Sequence, residues 1–110
     1  MRVSDLTGDD LVRMLAALAN PHRLRVVAAL AEGRHHVSGL ARALGISRPL
    51  LQVHLRRLNA VGLVAASMEL SEDGKAMKYY ELRPFALELT PATLTHAAKT
   101  ITTDESGDPS

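Results

Sequence analysis

The hydrophobic pattern of the chain changes character at Gly62, helical before it and extended just after. Leu11, Met14, Leu15 and Leu18 stand at i, i+3, i+4 and i+7. Thr7 precedes them as a cap, and Asp9 and Asp10 occupy the positive first turn. Val12, Ala16 and Ala19 make a second apolar stripe about 100° further round. A helix apolar on two sides is expected to be covered on two sides, one of them by another subunit. Asn20-Pro21 opens a second helix, which runs to Glu32 and ends at Gly33. Its expected inner face is Leu24, Val27, Ala28 and Ala31. Ser38 is read as the cap of a third, short helix carrying Leu40, Ala41 and Leu44 and stopped by Gly45. Ser47 caps a fourth helix. Pro49 is harmless in its first turn, where backbone N–H groups lack helical partners anyway.

Beyond Gly62, "LVAASMEL" and "KAMKYYEL" flank "SEDG", which reads as a β-hairpin. Val64, Ala66, Met68 and Leu70 share one face, matched on the return strand by Tyr80 and Leu82. Thr90-Pro91 starts a last helix, with Leu94, Ala97, Ala98 and Ile101 at helical spacing. The closing "TTDESGDPS" is polar and expected to be disordered. The predicted order is ααααββα: five helices and a hairpin.

Composition narrows the class. The chain has 110 residues and is 46% apolar, yet its aromatics are only Tyr79, Tyr80 and Phe85. A core of Leu, Val and Ala suits close-packed helices, and its small size invites help from a partner subunit. The absence of cysteine excludes disulfides and thiolate metal sites. No apolar run nears the roughly 20 residues of a membrane span, and "MRVSDLTGDD" lacks the apolar core of a signal peptide. The expectation is a soluble cytoplasmic protein with no membrane partner.

Net charge is only +1, but it is unevenly placed. Between Asn20 and Gly62 stand Arg23, Arg25, Arg34, Arg42, Arg48, Arg56 and Arg57 against a single acid, Glu32. Both ends of the chain are acidic. A basic middle is the footprint of a surface that meets a polyanion.

The third and fourth helices, joined by "GIS", make a helix-turn-helix. On the fourth, Leu51, Leu55 and Leu58 fall within about 60° of each other. Pro49, Gln52, Val53, Arg56 and Arg57 lie opposite. The edges of guanine and adenine in a major groove suit Arg and Gln, and Val53 suits a thymine methyl. Arg48 and Gln52 are therefore expected at the bases, and Arg56 and Arg57 at phosphates. At the hairpin tip, Glu72 and Asp73 repel phosphate, which leaves Lys75, with Lys78 behind it, for any contact from the wing.

In their order and spacing, "LAALANPHRLRVVAALAEG", "VSGLARALGIS", "HLRRLNAVGLV" and "KYYEL" resemble the ArsR/SmtB winged helix-turn-helix regulators from about Leu11 to Leu82. The resemblance implies a mainly α fold with a β-hairpin wing. Residues 1–102 are accordingly expected to be one DNA-binding and dimerisation domain, with residues 103–110 as a polar tail. It also implies a homodimer joined by the first and last helices, bound to an inverted-repeat operator in double-stranded DNA. Many members release DNA when a metal ion binds. Gln52 and Val53 depart from the family's common Ser and basic residue, so the operator is expected to differ from that of familiar members.

The family's metal positions carry over poorly. One family site uses cysteines at the start of the third helix, where this chain has His36 and Ser38. Another uses paired ligands along the last helix, where only His96 stands. His35 and His36, adjacent in a loop before the helix-turn-helix, are the first candidates for a nickel or zinc ion. His22 and His96 come next. His22 and His54 also have a plain structural reading. An alternative to direct sensing is a protein-interaction module, whose acidic wing and C-terminal segment dock a partner protein that holds the ligand site. No nucleophile set, phosphate loop or carboxylate pair suggests an enzyme.

Overall fold

The computed structural model describes residues 6–102. The expected disorder of residues 103–110 lies outside the described residues. Among the described residues there are five helices: α1 (Gly8–Leu18), α2 (Pro21–Ala31), α3 (Val37–Leu44), α4 (Arg48–Ala60) and α5 (Pro91–Ala98). The hairpin is there too, together with a short strand that periodicity did not reveal. The strands are β1 (His35–His36), β2 (Val64–Leu70) and β3 (Ala76–Leu82), in the antiparallel order β1-β3-β2. The chain forms two compact units, one spanning Ala16–Pro84 and the other formed by the segments before and after it.

The unit Ala16–Pro84 is packed by aliphatic side chains. Val26, Leu40, Leu51, Leu55, Leu58, Leu63 and Val64 are fully buried. The hairpin register pairs Val64 with Leu82, Ala66 with Tyr80 and Met68 with Lys78, so the expected shared face is correct. Only its root is covered, however. Val64 and Tyr80 are buried, while Met68 and Leu70 are 62% and 76% exposed.

α2 turns a different face inward from the one its apolar residues suggested. Asn20 caps it, its side chain accepting from the His22 and Arg23 N–H groups. The buried residues are Arg23, Val26 and Leu30, whereas Leu24 is 54% exposed and Ala28 and Ala31 face outward. The physical reason lies with Arg23. Its guanidinium donates to the Ala17 carbonyl through Nε and contacts His54, so the helix rotates to bring this satisfied polar group inside.

In the other unit, Leu11 of α1 and Ala97 of α5 are buried together, with Leu6, Leu15 and Leu87 packed around them. The two helices meet end to end. The Gly8 N–H donates to Thr100 Oγ1 at 2.6 Å, and Asp9 accepts from the Thr102 N–H at 3.0 Å. A Cβ on Gly8 would stand 2.1 Å from the Ala97 carbonyl oxygen, which makes glycine necessary there. α5 starts as expected at Thr90, within a capping box with Thr93. It stops at Ala98, so Ile101 falls outside the helix and is exposed, as is Leu94.

The face assignment of α2 is testable by chemical denaturation. Leu30→Ala is expected to cost about 2–5 kcal/mol by opening a cavity. Leu24→Ala should stay within about 0.5 kcal/mol. The reverse order would restore the face that the apolar pattern suggested.

Candidate nucleic-acid interface

α3 and α4 are joined by a turn that needs glycine. Gly45 adopts φ 68° at the end of α3, and the Ile46 N–H reaches back to the Ala41 carbonyl. Ser47 then restarts the chain as a helix by accepting from the Leu50 N–H at 3.2 Å. The cap of α3 is not Ser38, as the sequence suggested, but His36. Its Nδ1 accepts from the Gly39 N–H at 3.1 Å. Histidine is an uncommon cap, which is why composition pointed to the serine.

Full burial of Leu51, Leu55 and Leu58 commits the opposite side of α4 to solvent. Arg48, Pro49, Val53, Arg56 and Arg57 are exposed there, and Gln52 is half-buried. Pro49, Gln52, Val53, Arg56 and Arg57 lie on the side where the sequence placed them. Arg48 and Gln52 also line a groove of about 290 Å³, with His36, Val37 and Ser38 on one wall and Ala76, Met77 and Lys78 on the other. Two cationic side chains and no carboxylate line it. Lys78 holds its ammonium 5.4 Å from the Tyr80 ring centroid.

Lys75 is not part of this groove. It sits at the wing tip, where the Ser71 N–H donates to its carbonyl at 2.8 Å and Gly74 turns the chain at φ 83°. The Ser71 hydroxyl donates to Asp73, and together with the Lys75 N–H it holds the Asp73 carboxyl below its ordinary value. The tip therefore keeps the negative charges of Glu72 and Asp73 next to Lys75. The cation that the fold brings to α4 is Lys78, the residue ranked behind Lys75 on sequence.

The basic middle is smaller on the surface than in the sequence. Arg23 is buried. Arg34 is engaged by Glu69 and lies 4.6 Å from the Tyr79 ring centroid. The hydrogen bond and charge of Arg34 hold the Glu69 carboxyl below its ordinary value. Arg25, Arg42, Arg48, Arg56 and Arg57 remain exposed.

His35 and His36 do not form the loop pair expected of them. They are consecutive residues of β1, paired with Tyr80 and Tyr79. Consecutive strand residues project to opposite faces. The Nδ1 lone pair of His36 is already taken by Gly39, and its ring lies edge-on to Tyr79, 5.9 Å between centroids. The two rings therefore project from β1 to opposite faces, and Nδ1 of His36 is engaged as a cap. His22 is half-buried with its ring 5.3 Å from that of His54, and His96 is exposed on α5. Among the described residues, no three His, Asp or Glu side chains gather around one point.

Comparison with known proteins agrees with this geometry. The profile of the "Bacterial regulatory protein, arsR family" matches residues 20–66, which hold α2, the helix-turn-helix and the start of the wing. An HTH-type transcriptional regulator of Methanocaldococcus jannaschii is 34% identical over 76 residues, covering 69% of this chain and 79% of its own length. The chain belongs to the arsR family of bacterial regulatory proteins. It is a transcriptional regulator with a DNA-binding winged helix-turn-helix, not an enzyme. The regulator CmtR of Mycobacterium tuberculosis is 34% identical over 79 residues, covering 72% of this chain and 64% of its own length. Among solved structures, a homodimeric winged helix-turn-helix domain of a possible ArsR-family regulator from Mycobacterium bovis is similar. The TM-score is 0.60 at 32% identity, covering 67% of this chain and 64% of that one. This chain thus spans slightly less than two thirds of the length of these two mycobacterial relatives. No helix among the described residues is long and apolar enough to cross a membrane.

The capping role of His36 makes a prediction. His36→Ala is expected to destabilise the fold by about 0.5–2 kcal/mol, and His36→Asn to recover most of that loss. Thermal denaturation showing His36→Ala as stable as the parent protein would remove the cap.

Proposed function

We propose that this regulator acts as a cytoplasmic homodimer that reads an inverted-repeat operator through the outer face of α4. The observation that carries the reading is the placement of Gln52 and Val53 between Arg48 and Arg56 on a face held outward by three fully buried leucines. A half-buried amide flanked by exposed guanidinium groups suits bases at the centre of a contact and phosphates at its edge. The groove containing Arg48 and Lys78 gives a second phosphate position, beside the tip-side half of β3. The exposed apolar residues Val12 on α1, Leu94 on α5 and Ile101 just beyond it support a second copy as the partner. So does the homodimeric state of the Mycobacterium bovis relative.

The wing favours a second reading alongside the first. Met68 and Leu70 are exposed next to an acidic tip, a surface better suited to a protein than to DNA. A partner protein docked there would carry the signal, and the projection of His35 and His36 to opposite faces of β1 supports that reading. Calorimetric titration with nickel and with zinc tests the alternative. One ion bound per subunit, and lost in the double variant His35→Ala/His36→Ala, would return the sensor to this chain.

Three outcomes are expected of the main reading. A footprint on the promoter of the protein's own gene should show a protected inverted repeat. Gln52→Ala should reduce the preference for that site by about 1–3 kcal/mol, whereas Arg57→Ala should weaken all sequences alike and lower the salt slope by about one. In sedimentation, a lone species of 11.9 kDa at micromolar concentration would remove the dimer.

A further inference from the structure

α4 buries one polar side chain among its leucines. His54 is 6% exposed and faces Arg23 of α2, itself 8% exposed. Arg23 NH1 stands 3.3 Å from His54 Nδ1. The other guanidinium nitrogens reach the carbonyls of Ala17 and, at 3.4 Å, Ala16. One arginine therefore ties the end of α1, α2 and α4 together.

The contact fixes the state of the imidazole. A guanidinium only donates, so Nδ1 must offer a lone pair, and the ring proton must sit on Nε2. Nε2 is buried and has no hydrogen-bond partner among the described residues. A second ring proton would remove the acceptor and set two positive charges side by side in a dry contact. The charged or titratable groups facing His54 are Arg23 and His22 from α2 and Arg57 from α4 itself. None is an acid. Burial, then these neighbours, push the His54 value down from its ordinary 6.5.

We propose that Arg23 and His54 are the positioning pair of the recognition helix, and that operator affinity is full only while the His54 ring is neutral. The pair touches no DNA. It acts through Val53 and Arg56, which flank His54 in sequence on the outer side of the helix. Releasing the ring frees α4 to turn against α2 and moves both. The proposal rests on the DNA-binding reading above.

His54→Asn tests it, because its Oδ1 stands near the position of Nδ1, accepts from Arg23 and does not titrate. Affinity for the promoter fragment is read by fluorescence anisotropy from about pH 7.5 to about pH 5, with circular dichroism as the check on folding. The parent protein should lose affinity as pH falls below 6.5, by up to about tenfold per pH unit for each proton taken up. His54→Asn should match the parent above that pH and lack this loss. His54→Leu, which cannot accept from Arg23, should bind more weakly throughout. An Asn variant with the parent's pH profile, or a Leu variant with the parent's affinity, would overturn the proposal. Should either variant fail to fold, nitrogen NMR of the parent protein decides. A neutral His54 ring protonated on Nδ1 would sink the pair. A parent protein that binds no DNA at any pH would defeat the functional reading instead, and the ring's protonation state would still judge the pair.

Discussion

Full burial of three leucines on α4 is the constraint on which the interface depends. Leu51, Leu55 and Leu58 are each fully removed from solvent, which stabilises the fold by several kcal/mol in total at about 25 cal/mol per Å². No rotation of α4 keeps all three inside and also turns Gln52 or Arg56 inward. The donor face is thus an output of core packing. Arg23 and His54 add direction to that packing, because apolar contact tolerates sliding and a hydrogen bond between buried groups does not.

Much of this was legible in the sequence because it was local. Caps at Asn20, Ser47 and Thr90, the stop at Gly45 and the period of the leucines are written within a turn or two of the element they define. The outer face of α4 followed from the same period. What stayed hidden depended on distant partners. α2 was assigned its apolar stripe as the inner face, but a buried guanidinium with carbonyl and imidazole partners outranks Leu24, Ala28 and Ala31. Two residues of β1 carry no periodicity, and their strand exists only because β3 lies beside them. His36 could be recognised as a cap only once α3 was placed.

Charge counting needed the same correction. Seven arginines in the middle of the chain suggested a broad basic face, yet Arg23 is inside the core and Arg34 is tied to Glu69 and Tyr79. The other five, all exposed, include Arg48, Arg56 and Arg57 on α4 itself, so the positive surface is concentrated on that helix. A focused patch steers DNA to one orientation better than a diffuse one.

The wing completes that orientation by what it refuses. Its tip holds Glu72 and an Asp73 kept ionised by Ser71, and its outer strands expose Met68 and Leu70. Phosphate is repelled from such a tip, while Lys78, paired with Met68 just behind it, lines the groove with Arg48. Because β2 and β3 are continuous from root to tip, whatever binds the distal hairpin is mechanically connected to Lys78 and to the wall of the groove. Under the proposed docking of a partner at the tip, this ladder is the physical connection from that surface to the groove.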